Sequence, residues 1–259
     1  MIVANDKQYL FEKMKVPKAV MYLVIPTIIS QLITIIYNWA DIFFVGQLND
    51  TFQMAAITIC YPDFMMTTAL SNLLGIGGAS AISRALGNNN YDKIKKISTM
   101  SLLLSIILSI LYSLIVFALN KPLLYLLGAD NDTIHFAEEY LFWVVIIGSL
   151  PSVVNYSLSH LIRATGKSQS ASIGIAMGGI INIILDPLFI FVFKLNVTGA
   201  AIATFISNLL ACIYFIVYLI ITRKTSILNF SLKNLKWKDK VIFDIISSGL
   251  SSFFLSLMA

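Results

Sequence analysis

Three aspartates, Asp41, Asp63 and Asp186, stand in or beside long apolar runs of this chain. A charged group at mid-bilayer costs about 2.5–3.5 kcal/mol on insertion scales, so an acid in such a run is a candidate for function. Asp186 is the most informative. Asn182 lies four residues before it, on the same face of a helix. Pro187 follows it, disturbing the helix locally and freeing backbone carbonyls. Carboxylate, amide and carbonyl oxygens together suit a small hard cation or a proton. In the next apolar run Thr204 and Asn208 are four residues apart and can add oxygens to the same place.

Asp41 ends a polar stripe. Thr27, Gln31, Thr34, Asn38 and Asp41 recur at spacings of 4, 3, 4 and 3 residues, which puts them along one side of a helix. Such a stripe must face protein or water. Asp41 also lies about 33 Å along the helix from Ala19, at the membrane interface by length, so a solvated helix-end acid and a cavity-facing acid both remain open. Phe43, Phe44 and Val45 carry the apolar run beyond it. Pro26, within the stripe, removes a backbone bond and allows the helix to bend, a plausible gating element. Asp63, beside Pro62, either lines a cavity or pairs across helices. Ser152, Asn155 and Ser159 form a weaker stripe, and His160 reads as an interfacial or helix-linking histidine before it reads as a proton relay.

The elements that must position these residues follow from composition. Of 259 residues, 58% are hydrophobic and 12% charged, and the mean hydropathy is +0.85. Soluble domains are about 45–50% apolar and about 25% charged. The excess excludes soluble enzymes, nucleic-acid binders and disordered chains, and leaves an all-α polytopic membrane protein. Six complete spans are predicted: Ala19 to about Val45, Thr51–Ser83, Ile97–Asn120, Tyr140–Ile162, Ser168–Phe193 and Leu195–Thr222, with a seventh beginning near Val241. Sixteen of the 18 Lys and Arg fall in the segments on one side, and only Lys121 and Lys194 on the other. The positive-inside rule therefore places the N-terminus in the cytoplasm, and the net charge of +5 reports topology instead of nucleic-acid binding. The chain divides into a cytoplasmic segment (1–18), a six-helix lobe (19–222), a basic connector on the inner leaflet anchored by Trp237 (223–240) and the start of a further helix (241–259). Cys60 and Cys212 read as packing residues, and the glycines at 75–78 and 174–179 as sites of close helix approach. No HExxH, CxxC or GxSxG pattern occurs, so neither an enzyme, a cofactor nor a resident metal is expected.

Five segments in order carry a family resemblance: Ile25-Pro26 with Ile36 through Gly46; Gly75-Ile76-Gly77-Gly78 leading to Ile82 through Gly87; Leu161 through Gly166; Asn182 through Phe191; and Gly199 through Thr204. From about residue 17 to its end the chain resembles the first lobe of the multidrug and toxic compound extrusion (MATE) family of secondary transporters. The resemblance implies a twelve-helix, two-lobe transporter of a cell (inner) membrane that exports organic cations or other amphipathic compounds in exchange for Na⁺ or H⁺. It implies an amino-lobe cation site of Asp41, Asn182, Asp186 and Thr204, with Asn155 a further member, and Gln31, Thr34, Tyr37 and Asn38 along the substrate cavity. It also implies bending of the first helix at Pro26. Asp63 and His160 depart from the family pattern and leave a relay role open. Two other readings stand beside it, a lipid-linked saccharide flippase of the same superfamily and a lobe that scaffolds another membrane protein. The length covers one lobe, so the expectation is a fragment of a longer protein, or else a chain that pairs with a second copy.

Overall fold

The computed structural model describes residues 14–230 and 240–258, and all regular structure among them is helical. The N-terminal residues 1–13 and most of the basic connector, Trp237 included, lie outside the described residues. In chain order the helices are α1 (Val16–Gly46), α2 (Thr51–Gly87), α3 (Tyr91–Ala118), the short α4 (Asn120–Leu126), α5 (Ile134–Leu141), α6 (Ser149–Ala164), α7 (Ser168–Pro187), α8 (Asn196–Ile221) and α9 (Val241–Leu257). Five of them, α1, α2, α3, α7 with its extension to Val192, and α8, are long and apolar enough to cross a membrane.

The fourth predicted span is broken. It starts earlier than Tyr140, at Ile134, and bends by 42° between α5 with its π-helical continuation (Phe142–Ile146) and α6. Gly148 sits at the break, where a Cβ would lie 2.3 Å from the Val144 carbonyl oxygen. Pro187 has a milder effect than freeing a row of carbonyls: α7 continues as a π-helical turn over Leu188–Val192. Pro26 does not interrupt α1, which is helical from Val16 to Gly46.

Helix starts are set by local chemistry. Asp50 caps α2, its carboxylate accepting from the Phe52 and Gln53 backbone N–H groups at 2.9 and 3.4 Å. The Gln53 amide returns a bond to Asp50 at 2.9 Å while its oxygen accepts from Val197 N at 3.0 Å, tying the starts of α2 and α8 together. Asn90 caps α3 through Lys93 N at 3.0 Å.

Two apolar clusters hold the bundle. One, at the basic end, gathers Leu74, Ile82, Ile94, Ile97, Leu158, Leu161 and Phe215. The other, at the opposite end, gathers Val45, Ala56, Val116, Leu141, Val144, Ile190 and Val197. Cys60 and Cys212 are buried, one in each. On helix after helix, a set of buried polar side chains falls between the two, beside others nearer the ends: Asp63 to Ser71 on α2, Ser105 and Ser109 on α3, Asn155 on α6, Asn182 and Asp186 on α7, Thr204 and Ser207 on α8. The bundle thus has a polar middle layer between two greasy ends.

Candidate cation site

The densest part of that layer is where α6, α7 and α8 meet, with α1 laid against α7. Asn182 and Asp186 are one turn apart on α7 and both fully buried. The Asn182 amide donates to Asp186 Oδ1 and to Thr204 Oγ1, each at 3.3 Å. One turn along α8, the Asn208 amide donates to the Thr204 carbonyl at 3.0 Å. The Asn155 amide of α6 in turn donates to Asn208 Oδ1 at 3.0 Å and to its carbonyl at 3.2 Å. A hydrogen-bonded chain therefore runs from Asn155 through Asn208, the Thr204 carbonyl and hydroxyl, and Asn182 to Asp186. Asn155, Asn208, Thr204 and Asn182 of this chain border a small cavity of about 20 Å³ lined also by Tyr37 and Tyr156, while Asp186 lies outside its lining. That is room for one water or a bare ion.

Asp41 comes to the same region from α1. It lies one turn beyond Tyr37, on the same face of α1. Four buried oxygens here have no donor: Asp41 Oδ1, Asn155 Oδ1, Asn182 Oδ1 and Asp186 Oδ2. Buried polar atoms are nearly always paired, and each exception calls for a cause. All four are acceptors, so what would satisfy them is a proton, a water or a cation.

The predicted polar stripe of α1 divides. Thr27 meets Ser168 of α7 at 3.0 Å, and Ser30, outside the predicted stripe, meets Ser172 at 3.3 Å. Tyr37 reaches across to Tyr156, hydroxyl to hydroxyl at 3.2 Å. Gln31 is exposed, and neither Thr34 nor Asn38 borders the cavity. Thr34 bonds the Ser30 carbonyl of its own helix at 3.0 Å. The reason is rotation: at 100° per residue, Gln31 and Asn38 lie about a quarter turn from the face that Ser30, Tyr37 and Asp41 press on α7.

Asp63 is paired across helices. Tyr112 of α3 donates to its Oδ1 at 2.8 Å and to its carbonyl at 3.2 Å. His160 packs against Gly75 of α2, where a Cβ would lie 2.8 Å from its ring. Tyr140 and Tyr156 were not singled out from the sequence. Tyr156 directly follows Asn155, but a tyrosine in an apolar run gives no sign of which way its hydroxyl points.

The chain as a whole matches a known family. A family model described as MatE matches residues 26–188, from Pro26 on α1 to just past Asp186. The chain belongs to the MatE family. Among curated proteins it is 35% identical over 255 residues to the multidrug export protein MepA of Staphylococcus saprophyticus, covering 98% of this chain and 56% of that protein. Among solved structures it superposes, with a TM-score of 0.88 and 28% identity, on one described as the outward-facing conformation of a multidrug resistance MATE family transporter of the MOP superfamily. That match covers 97% of this chain and 55% of the other. The inward-facing conformation of such a MATE transporter gives 0.81, also at 28% identity, over 92% of this chain and 53% of that one. The chain spans about half the length of the curated relatives it matches. As in its MatE relatives, the fold is a multi-pass helical lobe, and the match falls on that lobe.

Proposed function

We propose that this chain is the first lobe of a multidrug efflux transporter and that it carries the site for the coupling ion. The observation behind this reading is the group of four donorless oxygens around Asp41 and Asp186, set in a polar layer that apolar clusters seal on both sides. In an interior of low dielectric, such oxygens favour a positive guest strongly. Na⁺ or H⁺ would bridge or neutralise the acids, with Asn182 and Thr204 as neutral ligands and Asn155 holding Asn208 in place. Exchange follows if loading of this site and release of a cationic or amphipathic substrate are mutually exclusive. The second wall of the substrate cavity would come from a second lobe, whose beginning is α9. The basic end of the bundle would face the cytoplasm, by the distribution of Lys and Arg.

The test is transport in a version that carries both lobes, reconstituted in vesicles with an imposed Na⁺ or H⁺ gradient and a fluorescent organic cation. Asp41→Asn and Asp186→Asn should each abolish gradient-driven export while the protein still inserts and folds. Export by both variants at the parent rate would overturn the assignment.

A further inference from the structure

A second concavity lies away from the ion site. α3 and α8 stand apart, both resting on α6. The cleft between them has Leu102 and Ile106 on one wall, Ile216 and Leu219 on the other, and Val154 and Leu158 as its floor. Its volume of about 350 Å³ lies at the lower end of the range of ligand sites. No residue of α1, α2, α7 or α9 lines it, so it is separate from the polar cavity, which takes Asn155 and Tyr156 from a different side of the same α6.

The chain after α8 borders the cleft at its basic end. It crosses back to α3, where the Asn229 carbonyl accepts from Ser98 Oγ at 2.9 Å and Thr99 Oγ1 at 2.7 Å. This crossing places Leu228 and Phe230 over the cleft. Arg223, the first basic residue after α8, stands at the mouth and is exposed. It forms no ion pair among the described residues. Lys224 follows it. An apolar slot of this size in contact with hydrocarbon is not left empty, because its walls would forfeit their packing. A cation at its rim selects an anionic head group, and basic pockets between membrane helices are recognised sites for such lipids.

We infer that this cleft binds an anionic glycerophospholipid of the leaflet at the basic end, with one acyl chain between α3 and α8 and the phosphate on Arg223. The apolar walls hold the chain and Arg223 supplies the charge preference. The detergent-purified chain is to be titrated with phosphatidylglycerol or phosphatidylcholine and the retained lipid counted by native mass spectrometry. Phosphatidylglycerol should be retained in preference. Arg223→Gln should weaken it about five-fold, the equivalent of roughly 1 kcal/mol for one cation at an anionic surface, and leave phosphatidylcholine unchanged. Ile216→Trp, a substitution at an exposed wall position, should remove one bound lipid by filling the slot. Equal retention of both lipids by the parent, or an unchanged preference in Arg223→Gln, overturns the inference. If Ile216→Trp loses the monodisperse profile of the parent, Arg223→Gln alone decides.

Discussion

The contact between α9 and α2 is backbone on backbone, and it yields a sharp prediction. A methyl group on Gly77 would lie 2.2 Å from the Ile245 carbonyl oxygen and 3.1 Å from Gly249 Cα. One on Gly249 would lie 1.9 Å from the Leu73 carbonyl oxygen. Carbon and carbonyl oxygen approach to about 3.3 Å at best, so either alanine must push the helices apart by about 1 Å. Overpacking of this kind costs about 1–3 kcal/mol. The upper half of that range applies here, because the obstacle is main chain and has no rotamer to yield. Alanine regains about 0.8–1 kcal/mol of helix propensity, leaving a net loss of about 1–2 kcal/mol for Gly77→Ala. At about 2–4 °C per kcal/mol for a chain of this size, the melting temperature should fall by about 2–8 °C. The double variant should cost less than the two singles together, since one separation relieves both clashes. Gly46→Ala is the control: nothing lies within 4 Å of its added Cβ, so it should be neutral or slightly stabilising. Thermal melts in detergent, followed by intrinsic fluorescence, read all four. A Gly77→Ala variant that melts at or above the parent would refute the backbone contact.

Three further outcomes are expected. Tyr112→Phe strips the donor at 2.8 Å from buried Asp63 and should cost about 1–3 kcal/mol, most of it recovered in Tyr112→Phe/Asp63→Leu; unfolding by denaturing detergent in bicelles checks this, and a neutral Tyr112→Phe would count against the pairing. Asp50→Ala should cost about 0.5–2 kcal/mol as a lost helix cap. The Gln53 side chain, then the backbone N–H groups of Gln53 and Phe52, hold the Asp50 carboxyl below its usual range; the cap is therefore at full strength above that range and fades as pH falls through the lower folded value, so Asp50→Ala should flatten the acid limb of the melting profile below the ordinary carboxylate range. Finally, with Na⁺ as the coupling ion, replacing choline by Na⁺ at constant ionic strength and 100 times the Kd should stabilise the parent by about 2.7 kcal/mol. Asp186→Asn should show no such gain, and a gain that survives the substitution places the ion elsewhere.

What could be read from the chain itself is what depends on local order. Hydropathy over about 20 residues marks spans regardless of their neighbours, and α1, α2, α3, α7 and α8 lie where their apolar runs lie. Asn182 and Asp186 share a face because four residues are nearly one helical turn, and the bond between them follows from that spacing. The skew of Lys and Arg fixes an expected orientation in the same local way.

Tertiary structure decided everything that depends on how a helix is turned toward its neighbours. A polar stripe on α1 gives a face but no partner. Packing on α7 selected Ser30, Tyr37 and Asp41 and left Gln31 exposed. Asp63 had two readings until Tyr112, 49 residues away, was brought to it. The glycine contact of α2 with α9 arises where two backbones meet. Pairings distant in sequence leave no periodic trace, because the chain records which faces must be covered and only packing determines by what. The donorless oxygens of Asp41, Asn155, Asn182 and Asp186 are such a case: the sequence held the acids and amides, and only packing left these oxygens buried without a donor.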